Sequence, residues 1–178
     1  DYENPSFLST PGAKDVGIEF YTFSKTFNMA GWRLAFAAGN EQMIEALNLI
    51  QDHLFVGIFP ALQEAGIAAL LDPKSEEAVA QLNATYDSRR DAFVQAAAKI
   101  GWQAFPSRGS FYAWMPVPEG YTSESFADLL LEKVHVAVAP GKGFGPAGDA
   151  YVRIGLLVEP ERLVEAVNRI ANLHLFNN

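Results

Sequence analysis

The sequence predicts a chain of mixed strands and helices that ends in a small α+β domain, and three observations predict it. In the first half, short runs of β-branched and aromatic residues alternate with stretches of helical periodicity. A helical pattern of unusual length crosses the middle. Beyond it the texture changes to short strands and turns interleaved with two helices. With 178 residues, 49% hydrophobic and 19% charged, the composition is that of a globular chain, long enough for one domain plus part of another.

Residues 1–15 are polar, contain Pro5, Pro11 and Gly12, and predict a loop. Residues 16–23 are rich in β-branched and aromatic side chains bounded by turn signals, and predict a strand. A turn over 24–31 follows, ending in Ala30-Gly31. Residues 32–38 are apolar except for Arg33 and predict a second strand buried on both faces. Gly39-Asn40 closes that strand and caps a helix. There Met43, Leu47, Ile50 and Leu54 recur at spacings of four, three and four, one helical face. Gly57 and Pro60 interrupt it, and a second helix over 60–71 has proline in its first turn, where the missing N–H costs nothing. Asp72-Pro73-Lys74 is a break.

Ser75 is the expected cap of a helix over 76–100, with Glu76 and Glu77 near its positive end and Gly101 ending it. Its apolar stripe is Val79, Leu82, Tyr86, Phe93, Ala97 and Ile100. At roughly 1.5 Å per residue it is about 40 Å long, a length that joins domains, so a boundary is expected inside it, between residues 1–85 and 86–178. Next, 102–105 and 110–115 predict a hairpin around Pro106 and Gly109, and 116–120 a turn. Thr122 or Ser123 caps a helix running to Glu132 with Phe126, Leu129 and Leu130 on its apolar face. Residues 135–139 predict a strand, 140–148 a glycine-rich loop, and 151–158 a further strand. Pro160 opens a last helix carrying Leu163, Val164, Val167 and Ile170.

Several function classes lose support at this level. The net charge of −8 and the lack of a basic block argue against nucleic acid or an anionic membrane as partner. No apolar run approaches the roughly 20 residues that span a bilayer. The first residues lack a basic region followed by an apolar one, so no signal peptide is read, and a start at Asp1 without methionine suggests a piece of a longer chain. The absence of cysteine rules out disulfides and thiolate metal sites and permits a cytoplasmic location. His53, His135 and His174 show no metal-ligand spacing, and His135 reads as a packed strand residue. No Gly-x-Ser-x-Gly elbow supports a serine hydrolase. Pro140-Gly-Lys-Gly-Phe-Gly lacks the endings of a phosphate loop or a dinucleotide turn. It reads as a glycine-supported surface loop, with a cover over a ligand as the second option.

Chemistry concentrates in three cations. Lys25 follows a hydrophobic run that stops at Ser24. Alone it is either a solvated turn lysine or a strand-end amine whose desolvation lowers its pKa and makes it a nucleophile for a Schiff base. Arg33, eight residues on, offers a fixed fork for a phosphate. Arg153 lies inside Tyr-Val-Arg-Ile-Gly-Leu-Leu-Val, where it is either a structural ion pair or a clamp for a carboxylate. Two strands each carrying one arginine, plus one turn lysine, form a joint pattern.

Ser24-Lys25-Thr-Phe-Asn-Met-Ala-Gly-Trp-Arg33-Leu-Ala resembles the pyridoxal-phosphate attachment signature of class I/II aminotransferases, in outline Ser-Lys-x-x-small-apolar-x-Gly-x-Arg. Phe7-Leu-x-x-Pro-Gly-Ala-Lys, Gly109-Ser-Phe-Tyr-x-Trp, Val138-x-Pro-Gly-x-x-Phe-Gly and Tyr151-Val-Arg-Ile are similar to the same family. The nearest subgroup is that of bacterial diaminopimelate, N-acetyl-diaminopimelate and alanine aminotransferases, which would connect the chain with lysine biosynthesis. The resemblance implies that Lys25 binds the cofactor aldehyde covalently and then shuttles the substrate Cα proton. It further implies that Ser24, Arg33 and Thr22 hold the cofactor phosphate and that Arg153 clamps the substrate α-carboxylate.

The fold so implied is the C-terminal part of a fold-type I pyridoxal-phosphate transferase: residues 1–85 end the large α/β domain and 86–178 form the small α+β domain. The activity would be transfer of an amino group between an amino acid and a 2-oxo acid in a homodimer. In that family an aspartate pairs with the pyridine nitrogen and a tyrosine contacts the ring hydroxyl. Both lie further upstream than the 24 residues that precede Lys25. The chain therefore carries the covalent anchor without the group that activates the ring, and the isolated piece is expected to be weakened or inactive. A β-eliminating lyase of the same fold and a folded, non-catalytic module are the rival readings.

Overall fold

The computed structural model describes residues 5–105, 107 and 109–176. Pro106, the expected centre of a hairpin, lies outside them. The chain divides into two compact units, residues 1–81 and 82–178. Among the described residues no helix is long and apolar enough to cross a membrane.

In the first unit the expected loop over 1–15 contains a 3-10 turn, Phe7–Ser9, and a short helix α1, Ala13–Val16. Strand β1, Ile18–Thr22, precedes a one-turn helix α2, Phe23–Thr26. Strand β2, Ala35–Gly39, pairs antiparallel with β1, Ile18 opposite Gly39 and Thr22 opposite Ala35. Helices α3, Glu41–Leu54, and α4, Pro60–Leu71, follow. Asn40 caps α3 as expected, its Oδ1 accepting from Met43 N at 3.1 Å. The buried residues Phe23, Met29 and Leu34 form a small core against Phe27, Ala65 and Ala69. Gly66 of α4 lets that core close: a Cβ there would stand 2.8 Å from Leu34 Cδ2 and 3.3 Å from Phe23 Cζ.

The expectation for residues 32–38 is corrected on two points. Trp32 ends a 3-10 turn and Arg33 follows it in a left-handed conformation, φ 54°, so Arg33 precedes β2 rather than belonging to it. Nor is β2 buried on both faces, since Phe36 is 40% exposed. A two-stranded ribbon has no covering layer of its own on either face.

Helix α5, Ser75–Lys99, follows a break in which Asp72 Oδ1 accepts from Lys74 N at 2.8 Å. Ser75 is therefore the first helical residue rather than the cap. In the second unit β3, Tyr112–Pro116, α6, Ser123–Val134, β4, Ala139–Pro140, β5, Tyr151–Gly155, and α7, Pro160–Ala171, complete the chain. The sheet order is β3-β5-β4, antiparallel throughout, with β5 central. Alternation divides its residues cleanly. Ala113, Met115, Val152 and Ile154 face a core with Phe93, Ala97, Trp102, Phe126, Leu130, Val167 and Ile170, while Tyr112, Trp114, Tyr151 and Arg153 alternate with them. Trp102 is 1% exposed and its indole donates to Pro116 O at 2.7 Å.

Among the described residues 102–105 form no strand, so the expected pairing with 110–115 is not seen. Trp102 is pinned in the core as a coil residue, and β3 pairs with β5 instead. His135 is not a packed strand residue: it is exposed, at φ 55°, and ends α6. Of the expected strand 135–139 only Ala139 joins the sheet, as the first residue of β4. The glycine-rich loop is wound into two 3-10 turns, Gly141–Phe144 and Pro146–Ala150.

Candidate active site

The first unit gathers Thr22, Ser24, Lys25 and Arg33 around one excursion of the chain. It leaves β1 after Thr22 and returns to β2 at Ala35, which is the register partner of Thr22. Phe23 N donates to Leu34 O at 3.2 Å, which closes the base of the excursion. Ser24 and Arg33 flank that bond on its two strands. Inside it, Phe27 N and Met29 N donate to Phe23 O at 3.3 and 3.4 Å, so the backbone is wound around Phe23, which is itself anchored in the core.

Thr22 caps α2: its Oγ1 accepts from Ser24 N at 3.2 Å and donates to Ser24 Oγ at 2.9 Å. Two hydroxyls thus stand side by side at the start of α2. Lys25 is the third residue of α2 and is exposed. The dry strand-end environment expected for it is therefore absent in this unit. The Arg33 guanidinium donates from Nη1 to Ala30 O at 3.0 Å, which folds the side chain back over its own turn. A left-handed arginine costs about 1 kcal/mol relative to ordinary backbone, and observed strain of this kind is a pointer to a functional position. Tyr21 braces the excursion from outside, its OH 2.9 Å from Thr26 Oγ1 and its ring stacked on Phe36 with centroids 5.3 Å apart.

Arg153 belongs to the second unit, at the centre of β5, opposite Trp114 of β3 and Ala139 of β4. It is half-buried, and among the described residues no carboxylate pairs with it. That disfavours the structural ion pair as the reason for its presence. Its Cζ lies 4.1 Å from the Tyr112 ring centroid and 4.2 Å from that of Phe144. Both rings stand in motifs similar to the family, Tyr112 in Gly109-Ser-Phe-Tyr-x-Trp and Phe144 in Val138-x-Pro-Gly-x-x-Phe-Gly, yet neither was assigned to the site. A further signal for Tyr112 was its place two residues before Trp114 on the same side of the strand. Phe144 had no such periodic signal, because a loop residue has no periodicity from which its direction can be read.

The loop that carries Phe144 is fixed to the start of α6. Ser123, fully buried, donates from Oγ to Asp149 Oδ1 at 2.8 Å and accepts from Lys142 N at 3.3 Å. Lys142 Nζ donates to Glu124 at 2.7 Å, and that bond, with the carboxylate's charge, pushes the Lys142 ammonium above the ordinary lysine range.

Residues 4–170 match the family described as aminotransferase class I and II. The chain belongs to that family. It is 60% identical over 171 residues to the L-glutamine–4-(methylsulfanyl)-2-oxobutanoate aminotransferase of Bacillus subtilis, covering 96% of this chain and 42% of that protein. It is 47% identical over 169 residues to the LL-diaminopimelate aminotransferase of Moorella thermoacetica, covering 95% and 43%. The solved structure of apo-BacF from Bacillus subtilis superposes with a TM-score of 0.93 at 46% identity, over 100% of this chain and 46% of that one. The chain thus spans less than half the length of the relatives it matches, and its fold is a portion of the α/β aminotransferase fold.

Proposed function

We propose that this chain acts as the C-terminal part of a pyridoxal-phosphate-dependent aminotransferase (EC 2.6.1.-), which moves an amino group between an amino acid and a 2-oxo acid. The observation that carries the proposal is the closed excursion 23–34 with Thr22 at its base, which together present the hydroxyls of Thr22 and Ser24, a primary amine and a guanidinium. That donor set fits the cofactor: a dianionic phosphate takes hydroxyl and guanidinium donors, and an aldehyde takes an amine. When bound, pyridoxal phosphate supplies the electrophilic aldehyde and the electron sink for the substrate's Cα.

The chain's own residues then divide the work. Thr22, Ser24 and Arg33 hold the phosphate through charge-assisted hydrogen bonds. Lys25 Nζ would anchor the cofactor through its aldehyde and, as a free amine, would take the proton at substrate Cα. Arg153 orients the substrate by its α-carboxylate. In this reading residues 1–85 close the large domain, 86–178 form the small one, and the protein is a cytoplasmic homodimer. Residues outside this chain supply the partner for the cofactor ring and the cover that dries Lys25.

The relatives' names support different substrates. The lysine-biosynthesis reading rests on the diaminopimelate enzymes, whereas the 60% identical relative is named for L-glutamine and 4-(methylsulfanyl)-2-oxobutanoate. The latter pair is the first to assay. Borohydride reduction of the full-length protein with pyridoxal phosphate, followed by peptide mapping, is expected to fix the cofactor on Lys25. An unmodified Lys25 would sink the proposal. Formation of pyruvate and ammonia in place of amino transfer would move it to the lyase reading.

A further inference from the structure

We propose that Tyr112 and Phe144 are positioning residues that hold the Arg153 guanidinium edge-on for a planar carboxylate, with Phe144 delivered by the loop that Ser123 and Asp149 lock. The inference rests on the reading of Arg153 as the carboxylate clamp. Both aromatic centroids lie within 4.2 Å of Cζ, so ring faces crowd the cation at close range. A guanidinium carries all its N–H donors in its own plane. With two rings already against the cation, the inferred approach for a ligand is along the guanidinium edge, where two parallel donors match the two oxygens of a carboxylate.

Each ring is braced in turn. Phe144 meets the Trp114 ring edge-on at 5.9 Å, and Trp114 stacks on Tyr151 at 5.6 Å. Tyr112 leans on Phe111 at 4.6 Å. Behind them β5 is the central strand, hydrogen-bonded on both sides, so the Arg153 backbone has little freedom.

The loop gives Phe144 its fixed position. Its two ends approach so closely that a Cβ on Gly141 would stand 2.3 Å from Gly148 O, and one on Gly148 would stand 2.1 Å from Gly141 O. The buried Ser123 hydroxyl binds both sides of the closure, accepting from Lys142 N and donating to Asp149. Phe144 therefore sits between two anchored points. Holding the fork before the ligand arrives lowers the ordering cost of binding, so a carboxylate binds more tightly than it would to a free arginine.

The test uses the cofactor-loaded full-length protein and 4-(methylsulfanyl)butanoate, a carboxylate without the oxo group, titrated by calorimetry. Arg153→Ala is expected to abolish binding. Phe144→Leu, which keeps an apolar side chain but removes the ring, is expected to weaken it about tenfold, and Phe144→Tyr to restore it to within about twofold. Cofactor affinity, read from absorbance, and the melting temperature are expected to hold in Phe144→Leu, and KM for the amino donor to rise with little change in kcat. If Arg153→Ala binds normally, the reading of Arg153 as the clamp fails and the inference with it. If Arg153→Ala loses binding while Phe144→Leu keeps it, the clamp stands and the positioning role is overturned. Equal losses in Phe144→Leu and Phe144→Tyr, with a lowered melting temperature, would reduce Phe144 to a packing residue and also overturn it.

Discussion

Replacing Gly148 by alanine is a sharp probe of the loop closure. Gly148 does not adopt a left-handed backbone, so an alanine there meets no conformational penalty and the effect is steric. The added Cβ would stand 2.1 Å from Gly141 O and 2.5 Å from Gly141 C, whereas ordinary van der Waals contact begins at 3.4 Å. The obstructing atoms are backbone, so no side chain can swing aside and the two ends of the loop must separate by about 1 Å. Overpacking of this kind costs about 1–3 kcal/mol. Separation also strains the bonds from Ser123 Oγ to Asp149 and from Lys142 N to Ser123, and an unsatisfied buried group costs about 1–3 kcal/mol more. A loss of about 3 kcal/mol in the second unit is therefore expected, measured by urea unfolding followed by circular dichroism. Gly143→Ala is the control, because its Cβ would have nothing within 4 Å and its backbone is not left-handed; it is expected to change stability by under about 0.5 kcal/mol. A Gly148→Ala chain as stable as wild type, or a Gly143→Ala chain equally damaged, would refute the closure as the source of the loop's rigidity.

Two further outcomes follow from the core and the surface of the same unit. Trp102→Phe removes the indole donor to Pro116 O and shrinks a side chain wedged among Phe93, Phe126 and Phe176. A loss of about 2–4 kcal/mol in urea unfolding is expected, and a loss under about 1 kcal/mol would mean the site collapses without penalty. Glu165 is held below the ordinary carboxylate value of 4.5, first by the hydrogen bond from Arg169 and then by the charges of Arg169 and Arg162, with desolvation opposing. Because the folded-state value is the depressed one, this contribution is present above pH 4.5 and is lost as pH falls below it toward the folded value. Melting temperatures from about pH 6 to about pH 3 should thus fall less steeply in Glu165→Gln, and an unchanged slope would count against the pairing.

What was legible in the sequence was what the backbone encodes locally. The helical stripe of α5 was readable because Val79, Leu82, Tyr86, Phe93, Ala97 and Ile100 repeat at helical spacing, and these residues are buried or half-buried. Asn40 was readable as a cap because its side chain bonds within its own turn. That Thr22, Ser24, Lys25 and Arg33 form one group was readable because these residues lie on or beside one short excursion. Misreadings arose where a long-range preference overrode a local one. Trp102 has the propensity of a strand residue, yet a core niche with a backbone acceptor at Pro116 O claims it. His135 follows an apolar helix and looked like the start of a strand, but α6 needed a left-handed residue to end on.

Lys25 shows the limit of such reading most clearly. A charged amine in a dry place is costly, but the place is not dry in this unit, where Lys25 is exposed and Phe20 of the preceding strand β1 is 65% exposed. What survives is the geometry around it. The base-closing bond from Phe23 to Leu34, the cap from Thr22 and the small core that includes Phe23 and Leu34 are all made by residues within the first unit. The turn can therefore be shaped before the lysine is dried. Shape and the proposed reactivity are separable here: the first is encoded in local bonds, and under the proposed function the second would depend on a cover over the ribbon. Under the proposed function the strained, left-handed Arg33 fits the same division: its backbone is fixed by the turn, while its guanidinium, which donates to Ala30 O, would exchange that neutral acceptor for a phosphate.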